Sequence, residues 1–63
     1  MNLDKMIIIE KEGKYNYSVD GKTPLLDIWF EDILDWNDGG YGFARLGETF
    51  YKVLPDGTYE RTF

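Results

Sequence analysis

Polar and apolar positions follow a period of two along most of this chain and a period near 3.6 in one stretch. The run Met6–Lys11 is β-branched and apolar at its centre, and it stops at Glu12-Gly13. Tyr15, Tyr17 and Val19 then alternate with Lys14, Asn16 and Ser18, so the first third of the chain predicts a β-hairpin. Asp20-Gly21 is a turn dipeptide that closes the second strand. Thr23-Pro24 has the form of a helix start, with Thr as N-cap and Pro at the first helical position.

From Leu25 to Trp36, a rotation of about 100° per residue gathers Leu25, Leu26, Trp29, Phe30, Ile33 and Trp36 into one arc, flanked by Ile28 and Leu34. The wheel predicts a helix, although Ile28, Trp29 and Phe30 also tolerate an extended strand buried on both faces. Trp29, Phe30 and Ile33 are read as core. Asn37-Asp38-Gly39-Gly40 terminates the element, since Gly at the C′ position accepts the left-handed conformation.

Turn signals at Gly47-Glu48 and Pro55-Asp56-Gly57 divide the last third into Tyr41–Leu46, Thr49–Leu54 and Thr58–Phe63, which predicts three antiparallel strands. The expected order is ββαβββ. The expected fold class is therefore α+β, a single domain over residues 1–63 with one amphipathic helix packed on an antiparallel sheet.

Composition narrows what such a domain does. The apolar share of 43% and the aromatic share of 17% are those of a chain that folds, not of a disordered acidic tail. With no Cys there is no disulfide framework, thiolate nucleophile or Cys-based zinc site, and a reducing cytoplasm is the expected location. With no His the commonest general base is missing too. Carboxylate pairs such as Asp27/Glu31 remain, but a glycosidase-type pair needs a cleft that 63 residues hardly enclose, so catalysis is not expected. Ile7, Ile8 and Ile9 between Asp4 and Glu10 are far too short a run for a membrane segment.

Three weak motif matches dissolve on inspection. Gly21-Lys22-Thr23 resembles the end of a phosphate loop, but Asn16 stands where that loop needs its first Gly. Asp35-Trp36-Asn37-Asp38-Gly39-Gly40 has the sixth-position Gly of a calcium loop, yet Leu46 stands where the bidentate Glu belongs. No metal or cofactor is expected. Tyr15, Tyr17, Tyr41, Phe43, Tyr51 and Tyr59 invite comparison with a base-stacking platform, but seven cations against twelve acids leave no basic groove, so direct nucleic-acid binding is not expected.

Charge is the most informative feature. The net charge is −5, and the whole excess lies between Thr23 and Ala44, in Asp27, Glu31, Asp32, Asp35 and Asp38 with no Lys or Arg among them. On the predicted helix Asp27, Glu31, Asp35 and Asp38 form one row opposite the apolar arc. A helix exposed only to water usually mixes signs, since opposite i,i+4 pairs contribute about 0.2–0.5 kcal/mol. The expected function is therefore non-enzymatic protein binding. The acidic helix face, with Trp36 and Tyr41 as apolar anchors, would meet a basic, nucleic-acid-binding surface of a partner as an inhibitor or DNA mimic. Small, acidic, cysteine-free domains share this format with phage-encoded inhibitors, an analogy of format alone. The competing expectation is a structural homo-oligomer, such as a homodimer, or a subunit that associates through an aromatic sheet face and the edge strand ending at Phe63.

Overall fold

The computed structural model describes residues 6–62, and among these no segment is helical. Six strands follow one another: β1 (Ile7–Lys11), β2 (Lys14–Ser18), β3 (Asp32–Ile33), β4 (Gly42–Leu46), β5 (Thr49–Val53) and β6 (Tyr59–Arg61). Each pairs antiparallel with its sequence neighbour, β1 with β2 in one sheet and β3-β4-β5-β6 in a second.

Turn chemistry accounts for the hairpins. Glu12 and Gly13 both have positive φ, 54° and 81°, the type I′ geometry whose twist matches that of the flanking strands. Gly47-Glu48 joins β4 to β5 as a two-residue turn. Between β5 and β6, Gly57 N–H donates to Leu54 O (3.1 Å) and Leu54 N–H to Thr58 O (2.8 Å), while Asp56 Oδ1 accepts the Thr58 N–H (3.0 Å). Those strands fall inside the runs predicted for them; Phe63 lies outside the described residues.

The predicted helix over Leu25–Trp36 is absent, and with it the α+β class: the domain is all-β. Backbone donors that a helix would direct four residues back go to neighbouring strands instead. Leu25 N–H donates to Tyr17 O (2.8 Å), Tyr15 and Phe30 exchange both bonds (2.8 Å each), Glu31 N–H donates to Arg45 O (2.9 Å) and Leu34 N–H to Phe43 O (3.0 Å). Without this segment β2 and β4 would each present an unpaired edge, and filling two edges outweighs one isolated helix. Propensity points the same way, because Ile, Trp, Phe and Asp, which make up most of the stretch, rank low in helices. The Tyr15–Phe30 bridge ties the two sheets together, so all six strands form one antiparallel succession.

Thr23 is no N-cap. Asp20 Oδ1 accepts the N–H groups of Lys22 and Thr23 (2.8 Å each) and the Ser18 hydroxyl (3.0 Å), while Asp20 Oδ2 accepts the Thr23 hydroxyl (3.1 Å). Those bonds, the Thr23 and Lys22 N–H groups foremost, hold the Asp20 carboxyl well below the usual carboxylate range.

Two side chains organise the interior. Asn16, fully buried, fills the gap where the chain arches away from β2 between Leu25 and Phe30. Its Nδ2 donates to Leu26 O and Ile28 O (3.1 Å each), and its Oδ1 accepts from Tyr17 N–H (2.8 Å) and Leu26 N–H (3.1 Å). The arch delivers Leu26 and Phe30 to a core shared with Met6, Tyr17, Trp36, Ala44 and Val53. Tyr17 lies at the centre. Its hydroxyl donates to Leu34 O, contacts Phe43 O (3.1 Å) and accepts from Phe43 N–H (3.1 Å), while its ring meets Trp36 edge-on at 5.0 Å.

Burial, and to a lesser degree the charge of Asp35, pushes the Tyr17 phenol up from 10.0 to about 12 against the opposing pull of the Phe43 N–H. A phenol that ionises at higher pH folded than unfolded stabilises the fold fully below pH 10, and that contribution is lost as pH rises through 12. Denaturant titrations at about pH 9 and about pH 11.5 are therefore expected to show a fall in stability that is smaller in Tyr17→Phe, which lacks the ionising group. An equal fall in both proteins would mean that Tyr17 is not the group responsible.

Candidate association surface on the outer sheet face

Loss of the helix disperses the acidic row. Asp27 Oδ1 accepts the Tyr59 hydroxyl at 3.1 Å, a bond that also raises the Tyr59 phenol above its ordinary range. Glu31 Oε1 accepts the Gly47 N–H at 2.6 Å and lies 3.7 Å from Arg45 Nη1. Asp35 and Asp38 are exposed on the connection to β4, beside a turn in which Asn37 Oδ1 accepts the Gly39 N–H at 2.5 Å. The row that the wheel aligned is thus broken, with Asp27 and Glu31 engaged within the chain and Asp35 and Asp38 exposed on the connection to β4.

Of the two predicted anchors, Trp36 is only 3% exposed and belongs to the core. Its Nε1 is buried without a hydrogen-bond partner, and the rings of Tyr17 and Trp36 pack at an interplanar angle of 77°. Tyr41 is half-buried at the surface, with the Phe43 ring 5.4 Å away edge-on and Lys52 Nζ 4.6 Å from its centroid. The predicted core residues also divide: Phe30 is fully buried, Ile33 packs against the core and Trp29 is half-buried outside it.

Strand alternation assembles a different surface. In β4 the small residues Gly42 and Ala44 are buried, which turns Phe43 and Arg45 outward; in β5 Val53 is fully buried and Tyr51 packs on the core, which turns Phe50 and Lys52 outward. Register sets Arg45 opposite Phe50, Phe43 opposite Lys52, Asp32 beyond Arg45, and Glu60 of β6 beyond Lys52. Leu34, next to Phe43, is 62% exposed and Phe50 46%. Arg45 Nε lies 3.9 Å from Asp32 Oδ2. Leu34, Phe43, Phe50 and Tyr41 thus form an apolar patch framed by Asp32, Arg45, Lys52 and Glu60.

A shallow cleft of about 90 Å³ beside Leu34, Phe43 and Phe50 is well below the roughly 300–1,000 Å³ of ordinary ligand sites. Among the described residues no group of three or more carboxylates is placed to hold a metal ion. No helix among them is long and apolar enough to cross a membrane. The aromatic residues considered as a stacking platform are split, with Tyr17 fully buried, Tyr51 and Tyr59 packed against Phe30 at 5.7 and 5.9 Å, and Tyr41 and Phe43 outside.

Comparison with protein-family models, curated proteins and solved structures finds no match to this chain. Sequence reasoning missed Leu34, Phe50, Arg45 and Lys52 as surface residues. The signal was present in Gly42 and Ala44, whose small side chains mark the close-packed side of β4 and place Phe43 and Arg45 on the other.

Proposed function

We propose that this chain is a non-enzymatic association module that meets another macromolecule through the outer face of β3, β4 and β5. The observation that carries this reading is the exposure of Leu34 and Phe50 beside Phe43 and Tyr41 on one sheet face. Apolar side chains clustered in this way and rimmed by charge are the composition of an interface, whereas single exposed apolar residues are ordinary surface. The absence of His and Cys from the sequence supports a binding role over a catalytic one.

A basic partner remains the second reading, favoured by Asp35 and Asp38, which form no ion pair among the described residues. The two differ in salt response. Contact through Asp35 and Asp38 weakens steeply as ionic strength rises, and contact through the sheet face weakens little.

Photo-crosslinking tests the proposed surface in cells. A benzophenone side chain at position 50 is expected to give discrete adducts, and the same group at position 12, in the β1-β2 turn, to give none. Equal yields from the two positions, or none from position 50, would overturn the assignment of the outer face.

A further inference from the structure

We infer that the occupant of this face is a second copy of the chain, docked sheet on sheet about a two-fold axis lying in the sheet plane; the inference rests on the association role proposed above. The decisive feature is the order of charges and rings in two adjacent cross-strand rows. In one row Arg45 of β4 stands opposite Phe50 of β5; in the next, Phe43 of β4 stands opposite Lys52 of β5. Cation and ring therefore alternate in both directions, as on a checkerboard.

A checkerboard of this kind is complementary to itself. Rotation about an in-plane axis parallel to the strands exchanges β4 with β5, laying Arg45 on the copy's Phe50 and Lys52 on its Phe43. Rotation about an in-plane axis across the strands exchanges the two rows, laying Arg45 on the copy's Phe43 and Lys52 on its Phe50. Under either operator a cation covers an aromatic face at four places, an attraction of electrostatic origin that strengthens as water leaves. Neither operator sets acid on acid: Asp32 meets Thr62 or Leu34, and Glu60 meets Leu34 or Thr62. The isologous arrangement is that of two-fold dimers in general.

Charge elsewhere favours the same face. Two copies each carrying −5 repel over most of their surfaces, and this patch sets Arg45 and Lys52 against Asp32 and Glu60, so it is locally neutral. A single strong cross-partner is less well matched, because a uniformly basic surface meets Arg45 and Lys52, and a uniformly acidic one meets Asp32 and Glu60. Four strands at about 4.8 Å spacing make a face roughly 19 Å across, smaller than a standard interface, so the dimer is expected at micromolar concentration.

Sedimentation equilibrium of the full chain over about 1–200 μM tests the inference, with the concentration range set by that expectation. The expected result is a monomer–dimer equilibrium that persists at high salt. Phe50→Lys sets a new cation against Arg45 or Lys52 of the copy and is expected to weaken the dimer at least tenfold. Phe50→Glu sets an anion against the same cation and is expected to leave it within about threefold, a difference that loss of apolar area alone does not produce. Lys52→Glu, which turns an anion onto a ring face, is expected to match Phe50→Lys and serves if that variant folds poorly; circular dichroism checks each variant. A monomer at every concentration overturns the second copy as occupant, and crosslinks from position 50 to other proteins would then leave the association role standing. Equal weakening by Phe50→Lys and Phe50→Glu overturns the cation-on-ring docking.

Discussion

Replacing Asn16 with Leu is expected to leave most of the chain unfolded at room temperature. The two side chains are similar in size, so the change removes polar bonds while nearly preserving volume. Four are lost: two from Nδ2 to the carbonyls of Leu26 and Ile28, and two to Oδ1 from the N–H groups of Tyr17 and Leu26. Because Asn16 is fully buried, water does not replace them. A buried group left unsatisfied costs about 1–3 kcal/mol, and a core of this size rarely supplies more than about 3–5 kcal/mol in total. Loss of the cooperative thermal transition in far-ultraviolet circular dichroism is the expected readout. Asn16→Asp gives an internal check, since its carboxylate keeps the acceptor toward Leu26 N–H but aims a second charged oxygen at two carbonyls. Asn16→Asp should therefore be destabilised near neutral pH and recover in mild acid, where the protonated carboxyl donates one bond. An Asn16→Leu protein that melts within about 1 kcal/mol of the parent would show that backbone pairing alone holds the arch.

The same residue explains why one element was illegible in the sequence. The hairpins could be read because their determinants are local: Glu12-Gly13, Gly47-Glu48 and Pro55-Asp56-Gly57 each fix a turn, and alternation on both sides fixes the strands. Leu25–Trp36 has no such local determinant. Leu26 and Phe30, four apart, are both buried, as a helix would require, but they reach the core from an arch whose shape is set by Asn16, ten residues away along the chain from Leu26. A helical wheel sees the four-residue spacing and is blind to the cross-strand amide that produces it.

The candidate site was legible to the same degree. The wheel sets Tyr41 near the end of the acidic row as an anchor; in the fold it is half-buried, edge-on to Phe43 and close to Lys52 Nζ. The wheel sets Trp36 both in the apolar arc and near the end of the acidic row, where it reads as an anchor; the extended chain buries it edge-on to Tyr17. The acidic excess between Thr23 and Ala44 is a true property of the sequence, yet only a helix would have made it a row. In extended geometry Asp27 and Glu31 turn to Tyr59, Gly47 and Arg45, and those residues could not be paired with them before the strand order was known.

The second large effect is expected at Gly42. A Cβ built there comes within 2.7 Å of Tyr17 Cε2 and also overlaps the phenol end of the ring, so the ring sits where any other residue's side chain would begin. Gly42→Ala forces either β4 away from β2 or the Tyr17 ring out of its site, and the ring is anchored through its hydroxyl to Leu34 and Phe43. Overpacking of a dense core typically costs about 1–3 kcal/mol, and displacing the hydroxyl adds the loss of the Phe43 N–H bond, so a fall of about 3 kcal/mol in urea-denaturation stability is expected. The clash and the ring are one interaction, and the two sites should couple. Tyr17→Leu is costly alone, because it empties the centre of the core, but it vacates the space that the new methyl needs. The double variant should therefore be more stable than the sum of the single effects predicts, by about 1 kcal/mol or more in a double-mutant cycle. Additive losses would place the strain of Gly42→Ala in the β4 backbone and remove Tyr17 from its cause.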